Sequence, residues 1–260
     1  MKGAQALTTA LGRARPPALV AYLTAGFPSL EAFRPALLAT AARAAVVEVG
    51  VPFSDPMADG ATIQRASRRA LEAGVTLEWI LEQLEALREE LAAPVVLMSY
   101  LNPLLAGGLE RCVRRAAAAG VAGMIVPDLP LEEAGLLREL LQRESMALVQ
   151  LVTPVTAPGR LDRLVRASAG FVYAVTTTGI TGGQVSVSPA VREYLGRVRS
   201  AAALPVCAGF GIRSAAQVAA LAGEVDGVIV GSALVEALER GDDPGAFLEA
   251  LIAGTGKEES

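Results

Sequence analysis

The chain has 260 residues, 52% of them apolar and 19% charged, with a net charge of −4, so it can bury a sizeable core and is too apolar to be disordered. No Lys/Arg cluster is dense enough to track nucleic acid, and no apolar run approaches the roughly 18 residues a membrane-spanning helix needs. Histidine is absent, which removes the commonest metal ligand and leaves acid–base chemistry to carboxylates or tyrosines; no metal site is expected.

In chain order, MKGAQALTTALGRARPP lacks a signal peptide's continuous apolar segment and predicts a short helix ending before Pro16, so a cytoplasmic location is the expectation. Short apolar runs then recur: ALVAYLT (18–24), AVVEVG (45–50), PVVLMSY (94–100), AGMIVP (122–127), ALVQLV (147–152), GFVYAV (170–175), LPVCAG (204–209) and DGVIVG (226–231). Each is rich in Val, Ile or Leu without strict alternation, as expected of parallel strands covered on both faces. Between them lie stretches of helical spacing, such as LEWILEQLEALREELAA (77–93) and LEEAGLLRELLQRE (131–144). The alternation predicts a (β/α)8 TIM barrel with an extra N-terminal helix, one domain over 1–260 with a frayed polar tail at 254–260. A doubly wound open sheet would more often carry a G-x-G-x-x-G turn after its first strand, and GFPS (26–29) does not match it. Cys112, in a predicted helix, and Cys207, in a predicted strand, lack metal-ligand spacing and read as small buried hydrophobes.

Catalytic groups of such barrels lie at the C-terminal strand ends and in the loops that follow. In VVEVG, Glu48 shares its parity with Val46 and Gly50, while Val47 and Val49 point the other way. With the valines on the helix layer, Glu48 points into the barrel mouth, where apolar surroundings raise its pKa toward the range a general acid needs. A Glu paired with an Arg, or capping a backbone group, is the alternative. Asp59 follows in a Pro/Gly loop, where turn formation or helix capping competes with catalysis; Thr62 is a candidate cap for a helix beginning near Ile63, and Asp55 before Pro56 reads as a turn residue.

Three glycine-rich turns follow late strands: TTTGITGGQ (176–184), AGFGIRS (208–214) and VGSALV (230–235). The last two follow strands seven and eight, where barrels commonly bind phosphate through loop amides and a helix N-terminus, and Ser232 adds a hydroxyl there. Arg213 reads as a solvated surface residue. Tyr22, Tyr100, Tyr173 and Phe210 fall near strand ends and suggest, beyond core packing, a flat apolar pocket beside the phosphate site.

Taken together, these residues resemble the tryptophan synthase alpha chain family. The motif VEVGVPFSDPMADGATIQRAS (47–67) carries the match, supported in order by YLTAGFPS (22–29), SYLNP (99–103), VPDLPLEE (126–133), TTTGITG (176–182), GFGI (209–212) and VGSALV (230–235). The resemblance spans residues 3 to 253 and implies reversible aldol cleavage of indole-3-glycerol phosphate to indole and glyceraldehyde 3-phosphate. It implies that Glu48 is the general acid–base and that Asp59 binds the indole N–H. By the same match Tyr173 lines the site, and Thr181 is the loop threonine that contacts Asp59 on closure. Gly182, Gly211, Gly231 and Ser232 match phosphate-binding positions, and Tyr22, Met98, Tyr100 and Phe210 match the indole pocket. Pro127, where alanine occurs in the family, and Met98, where leucine is common, depart from the pattern and alter pocket shape only.

The family implies an α2β2 heterotetramer with a tryptophan synthase beta chain that carries pyridoxal phosphate, and no cofactor in this chain. Asp55 and Asn102 resemble interface positions, and the apolar loops VPFSDPM and LNPLLAGG are compatible with a partner or a lid. Independently of the family, the only lysines are Lys2 and Lys257, near the termini, so a Schiff-base aldolase mechanism has no lysine at the strand ends. A sugar-phosphate isomerase on the same barrel, or an alpha-like subunit that only activates a partner, are the competing readings.

Overall fold

Eight parallel strands pair in sequence order and close on themselves in a computed structural model that describes residues 3–176, 187–209 and 211–253. They are β1 (Ala18–Thr24), β2 (Val46–Gly50), β3 (Val95–Met98), β4 (Val121–Ile125), β5 (Ala147–Val152), β6 (Val172–Val175), β7 (Val206–Gly209) and β8 (Gly227–Val230). Closure is made by β8 against β1, with Ala18 opposite Gly227 and Ala21 opposite Val230. The predicted TIM barrel is the observed fold. The tail 254–260 lies outside the described residues.

Between the strands run α2 (Leu30–Ala41), α3 (Ala61–Glu72), α4 (Leu77–Leu87), α5 (Leu101–Ala106), α6 (Leu109–Ala118), α7 (Gly135–Arg143), α8 (Pro158–Ala167), α9 (Pro189–Ala201) and α10 (Ala215–Ala220); after β8 come α11 (Ser232–Arg240) and α12 (Pro244–Ala253). Several start at side-chain caps: Ser29 accepts from the Ala32 amide, Thr76 from Trp79, and Ser214 forms a capping box with Gln217. Two helices are shorter than their apolar spacing predicts. The stretch 131–134 forms i to i+3 turns after Pro130, and 88–90 tightens in the same way beyond Leu87. No helix among the described residues is long and apolar enough to cross a membrane.

Strand parity sorts the apolar residues into two layers. Val47, Val49 and Leu97 pack outward against the helices, whereas Val20, Val46, Val96 and Ile229 fill the barrel interior. The bottom of that interior is closed by the predicted N-terminal helix, α1 (Ala4–Arg13), whose Leu7 and Leu11 are buried in the interior cluster. Burying such a leucine contributes about 1.5–3 kcal/mol. Polar ties fix the plug: the Thr8 hydroxyl donates to the Gly170 carbonyl (2.8 Å), and the Ala4 amide to that of Ser145 (2.9 Å). Both cysteines are buried, Cys207 inside the barrel and Cys112 on the inward face of α6.

Glycines make room for the interior's largest side chains. A Cβ on Gly50 would come within 2.1 Å of the Tyr22 hydroxyl, and one on Gly209 within 2.8 Å of that of Tyr173. Both tyrosine rings fill space that a neighbouring strand leaves empty, at the end of the barrel where the site lies.

Candidate active site

Glu48 sits on β2 directly opposite Tyr22 of β1, and follows the inward-facing Val46 with the parity read from the sequence. It is 1% exposed, and its Oε2 has no hydrogen-bond partner among the described residues. No arginine pairs with it among the described ion pairs, and burial, reinforced by the nearby charge of Asp59, raises its pKa to about 8. At neutral pH such a carboxyl holds its proton and can give it up.

Asp59 lies in the loop between β2 and α3. Its pKa is raised by burial and pulled back by a hydrogen bond from Tyr100. Tyr100, the residue that precedes α5, organises this loop: its hydroxyl accepts from the Ala58 amide (2.8 Å), and its ring stacks on Phe53 at 5.0 Å. Gln64, in the first turn of α3, donates to the Asp59 carbonyl (2.8 Å) and fixes the loop from the other side. Burial pushes the Tyr100 phenol up to about 12; Tyr22 and Tyr173 are raised further, first by burial and then by the carboxylates. All three are therefore neutral phenols in the pH range where Glu48 changes charge.

Tyr22, Glu48, Asp59, Met98, Tyr173, Gly211, Gly231 and Ser232 line one pocket of about 620 Å³ that is partly open to solvent. Gly211 takes φ +77°, a backbone that favours glycine, and Gly231 stands immediately before α11. The Leu234 amide donates back to the Gly231 carbonyl (2.9 Å), and the amides ahead of it at Ser232 and Ala233, with the Ser232 hydroxyl, make the start of α11 a ready anion site. Tyr100 stands behind Asp59 rather than in the pocket wall, and Pro127 does not line the pocket. Thr181, Gly182 and Phe210 lie outside the described residues.

Two expectations are corrected. Thr62 does not cap α3: Gly60 holds the cap position, and the Thr62 hydroxyl donates instead to Glu236 on α11 (3.0 Å). Arg213 is half-exposed, yet it lines the pocket and forms an ion pair with the same Glu236. Glu236 itself gave no local signal in the sequence, and neither did Asp128, whose carboxylate accepts from the Leu101 amide (2.9 Å) and anchors the start of α5. Ile63, Ile212 and Ile229 add apolar wall that parity and helix position could have indicated. Asp55, as expected of a turn residue, is exposed and accepts from the Ser54 hydroxyl at 2.5 Å.

A buried protonated carboxyl, a second carboxylate, flat apolar walls and a helix start in one pocket suit acid–base chemistry on an aromatic, anionic substrate. The family model for the tryptophan synthase alpha chain matches residues 9–258. The chain is 48% identical to the tryptophan synthase alpha chain of Nitratidesulfovibrio vulgaris, covering 90% of this chain and 91% of that one. It is 43% identical to that of Bacillus cereus, covering 94% of each. Among solved structures, a tryptophan synthase from M. tuberculosis superposes with a TM-score of 0.86 at 38% identity, covering 96% of this chain and 98% of that one. A tryptophan synthase α2β2 complex from Pyrococcus furiosus gives 0.85 at 35% identity, covering 91% and 98%. The family's sequence and the barrel's pocket coincide, and this chain belongs to the tryptophan synthase alpha chain family.

Proposed function

We propose that this enzyme catalyses the reversible retro-aldol cleavage of indole-3-glycerol phosphate to indole and glyceraldehyde 3-phosphate, a carbon–carbon lyase step of tryptophan biosynthesis. The observation that carries this reading is Glu48: a buried carboxyl, one oxygen without a partner, protonated up to a pH of about 8. It delivers that proton to the indole ring carbon bearing the side chain. The ring becomes an indolenine cation, whose N–H the Asp59 carboxylate binds and whose charge it stabilises. Glu48, now a carboxylate, takes the proton of the glycerol hydroxyl next to the ring. The carbon–carbon bond breaks, its electrons restore the indole, and the hydroxyl carbon leaves as the aldehyde.

Tyr22, Met98, Tyr100, Tyr173 and Phe210 form or support the aromatic pocket, and Thr181 meets Asp59 on closure. Gly182, Gly211, Gly231 and Ser232 hold the phosphate on backbone amides and one hydroxyl. The mechanism needs neither a cofactor nor a lysine in this chain. The exposed apolar residues Met57 (86%) and Val155 (92%), on loops, and Leu105 (49%), on the short helix α5, support docking of a tryptophan synthase beta chain in an α2β2 heterotetramer. Pyridoxal phosphate belongs to that partner. The chain works as one domain, and a cytoplasmic setting accords with a biosynthetic role.

The test is indole release from indole-3-glycerol phosphate, with and without a beta chain. Glu48→Gln should lower turnover by about 10²–10⁴-fold while phosphate-ligand binding persists. Folded wild-type protein that releases no indole under either condition overturns the reading.

A further inference from the structure

Arg213 occupies the turn after β7, two residues beyond Gly211, and is the one cationic side chain lining the pocket among the described residues. The rest of the described anion-facing wall is backbone and hydroxyl: Gly211, Gly231 and Ser232. Its guanidinium pairs with Glu236, which lies one helical turn beyond Ser232 on α11 and so on the same face of the helix. The second oxygen of Glu236 accepts from Thr62 on α3, three residues past Asp59. A carboxylate held from two elements is a fixed perch, and it parks the guanidinium beside a helix start suited to an anion. The Arg213 side chain is 52% exposed and that of Glu236 24%, so the pair is weakly bound and can exchange.

We propose that Arg213 is a phosphate-specificity residue of this pocket, resting on Glu236 when the pocket is empty and transferring to the substrate's phosphate when it fills. A guanidinium presents two N–H groups in a plane that matches two phosphate oxygens, so the transfer replaces an exposed pair by a forked, charge-assisted one. Glu236 acts as a competitor: its charge sets how much of the phosphate affinity is spent on displacement. The inference rests on the proposed reading only in taking the pocket's anion to be a phosphate ester.

Calorimetric titration of the folded chain with glycerol 3-phosphate, and separately with indole, tests the assignment. Arg213→Ala should weaken glycerol 3-phosphate about tenfold and leave indole affinity within twofold, with Arg213→Lys restoring part of the loss. Glu236→Gln, which keeps an acceptor for Thr62, should tighten glycerol 3-phosphate about two- to fivefold in the wild-type background and much less beside Arg213→Ala. A purely structural role predicts instead that both ligands weaken together, or that neither does. Arg213→Ala binding glycerol 3-phosphate within twofold of wild type overturns the assignment while leaving the lyase reading intact. Wild-type protein that binds no glycerol 3-phosphate overturns both.

Discussion

Replacing Glu48 by Gln should make the protein more stable, increasingly so as pH rises. Glu48 has a folded-state pKa of about 8 against an ordinary value of 4.5. Between those values the native state binds one more proton than the unfolded chain, so stability falls as pH climbs through the window. Each pH unit removes about 1.4 kcal/mol, which amounts to roughly 3 kcal/mol at pH 7 and roughly 5 kcal/mol above pH 8. Below pH 4.5 both states are protonated and the cost disappears. Gln has nearly the same shape and does not titrate; its buried amide adds an offset that is constant with pH. Urea unfolding of both proteins at pH 5, 7 and 8.5, followed by circular dichroism, gives the difference curve. The slope between pH 5 and 8.5 is the signature. A flat difference, or a Gln variant that loses ground to wild type as pH rises, would refute the view that Glu48 is held protonated by burial.

The same carboxyl should shape activity: kcat/KM for indole-3-glycerol phosphate should fall as pH rises past about 8, because the proton donor is lost, and a profile level to pH 10 would reassign the acid. Tyr100→Phe removes the acceptor for the Ala58 amide and the donor to Asp59, so turnover should drop with a stability loss of about 1 kcal/mol; unchanged kinetics would show that the loop needs no such anchor. Gly50→Ala places a methyl against the Tyr22 hydroxyl and ring edge and should destabilise by about 1–3 kcal/mol, as chemical denaturation can measure; Tyr22→Phe, which keeps the ring edge, should not rescue it. Leu7→Ala opens a cavity under the barrel and should cost about 2–5 kcal/mol; a loss under 1 kcal/mol would mean that α1 is not a structural plug.

The barrel was legible because parallel strands buried on both faces write themselves as short Val/Ile/Leu runs, and each run lies within two residues of its strand. Glu48 was legible because strand parity is local: Val47 and Val49 reveal which way it points. Where two partners lie far apart in sequence, the signal failed. Thr62 looked like a cap because local chemistry permits one, yet its acceptor is 174 residues away, and the same distant carboxylate turns Arg213 from a surface charge into pocket wall. Helix ends were overrun for a related reason: residues 88–90 and 131–134 keep the apolar spacing of a helix while their backbone closes i to i+3 turns.

The plug under the barrel also orders events in time. During synthesis α1 emerges first, but its hydrogen-bond partners arrive with Ser145 and with Gly170, the latter 162 residues after Thr8. The open edge of β1 waits longer still, until Gly227 can pair with Ala18. An amphipathic segment and an unpaired strand edge are thus carried exposed through most of translation, the interval in which a chain is most prone to associate wrongly. Amide protection at Ala4 would then date the docking of α1 against the chain that follows the fourth strand, and protection along Ala18–Ala21 the closure of the ring.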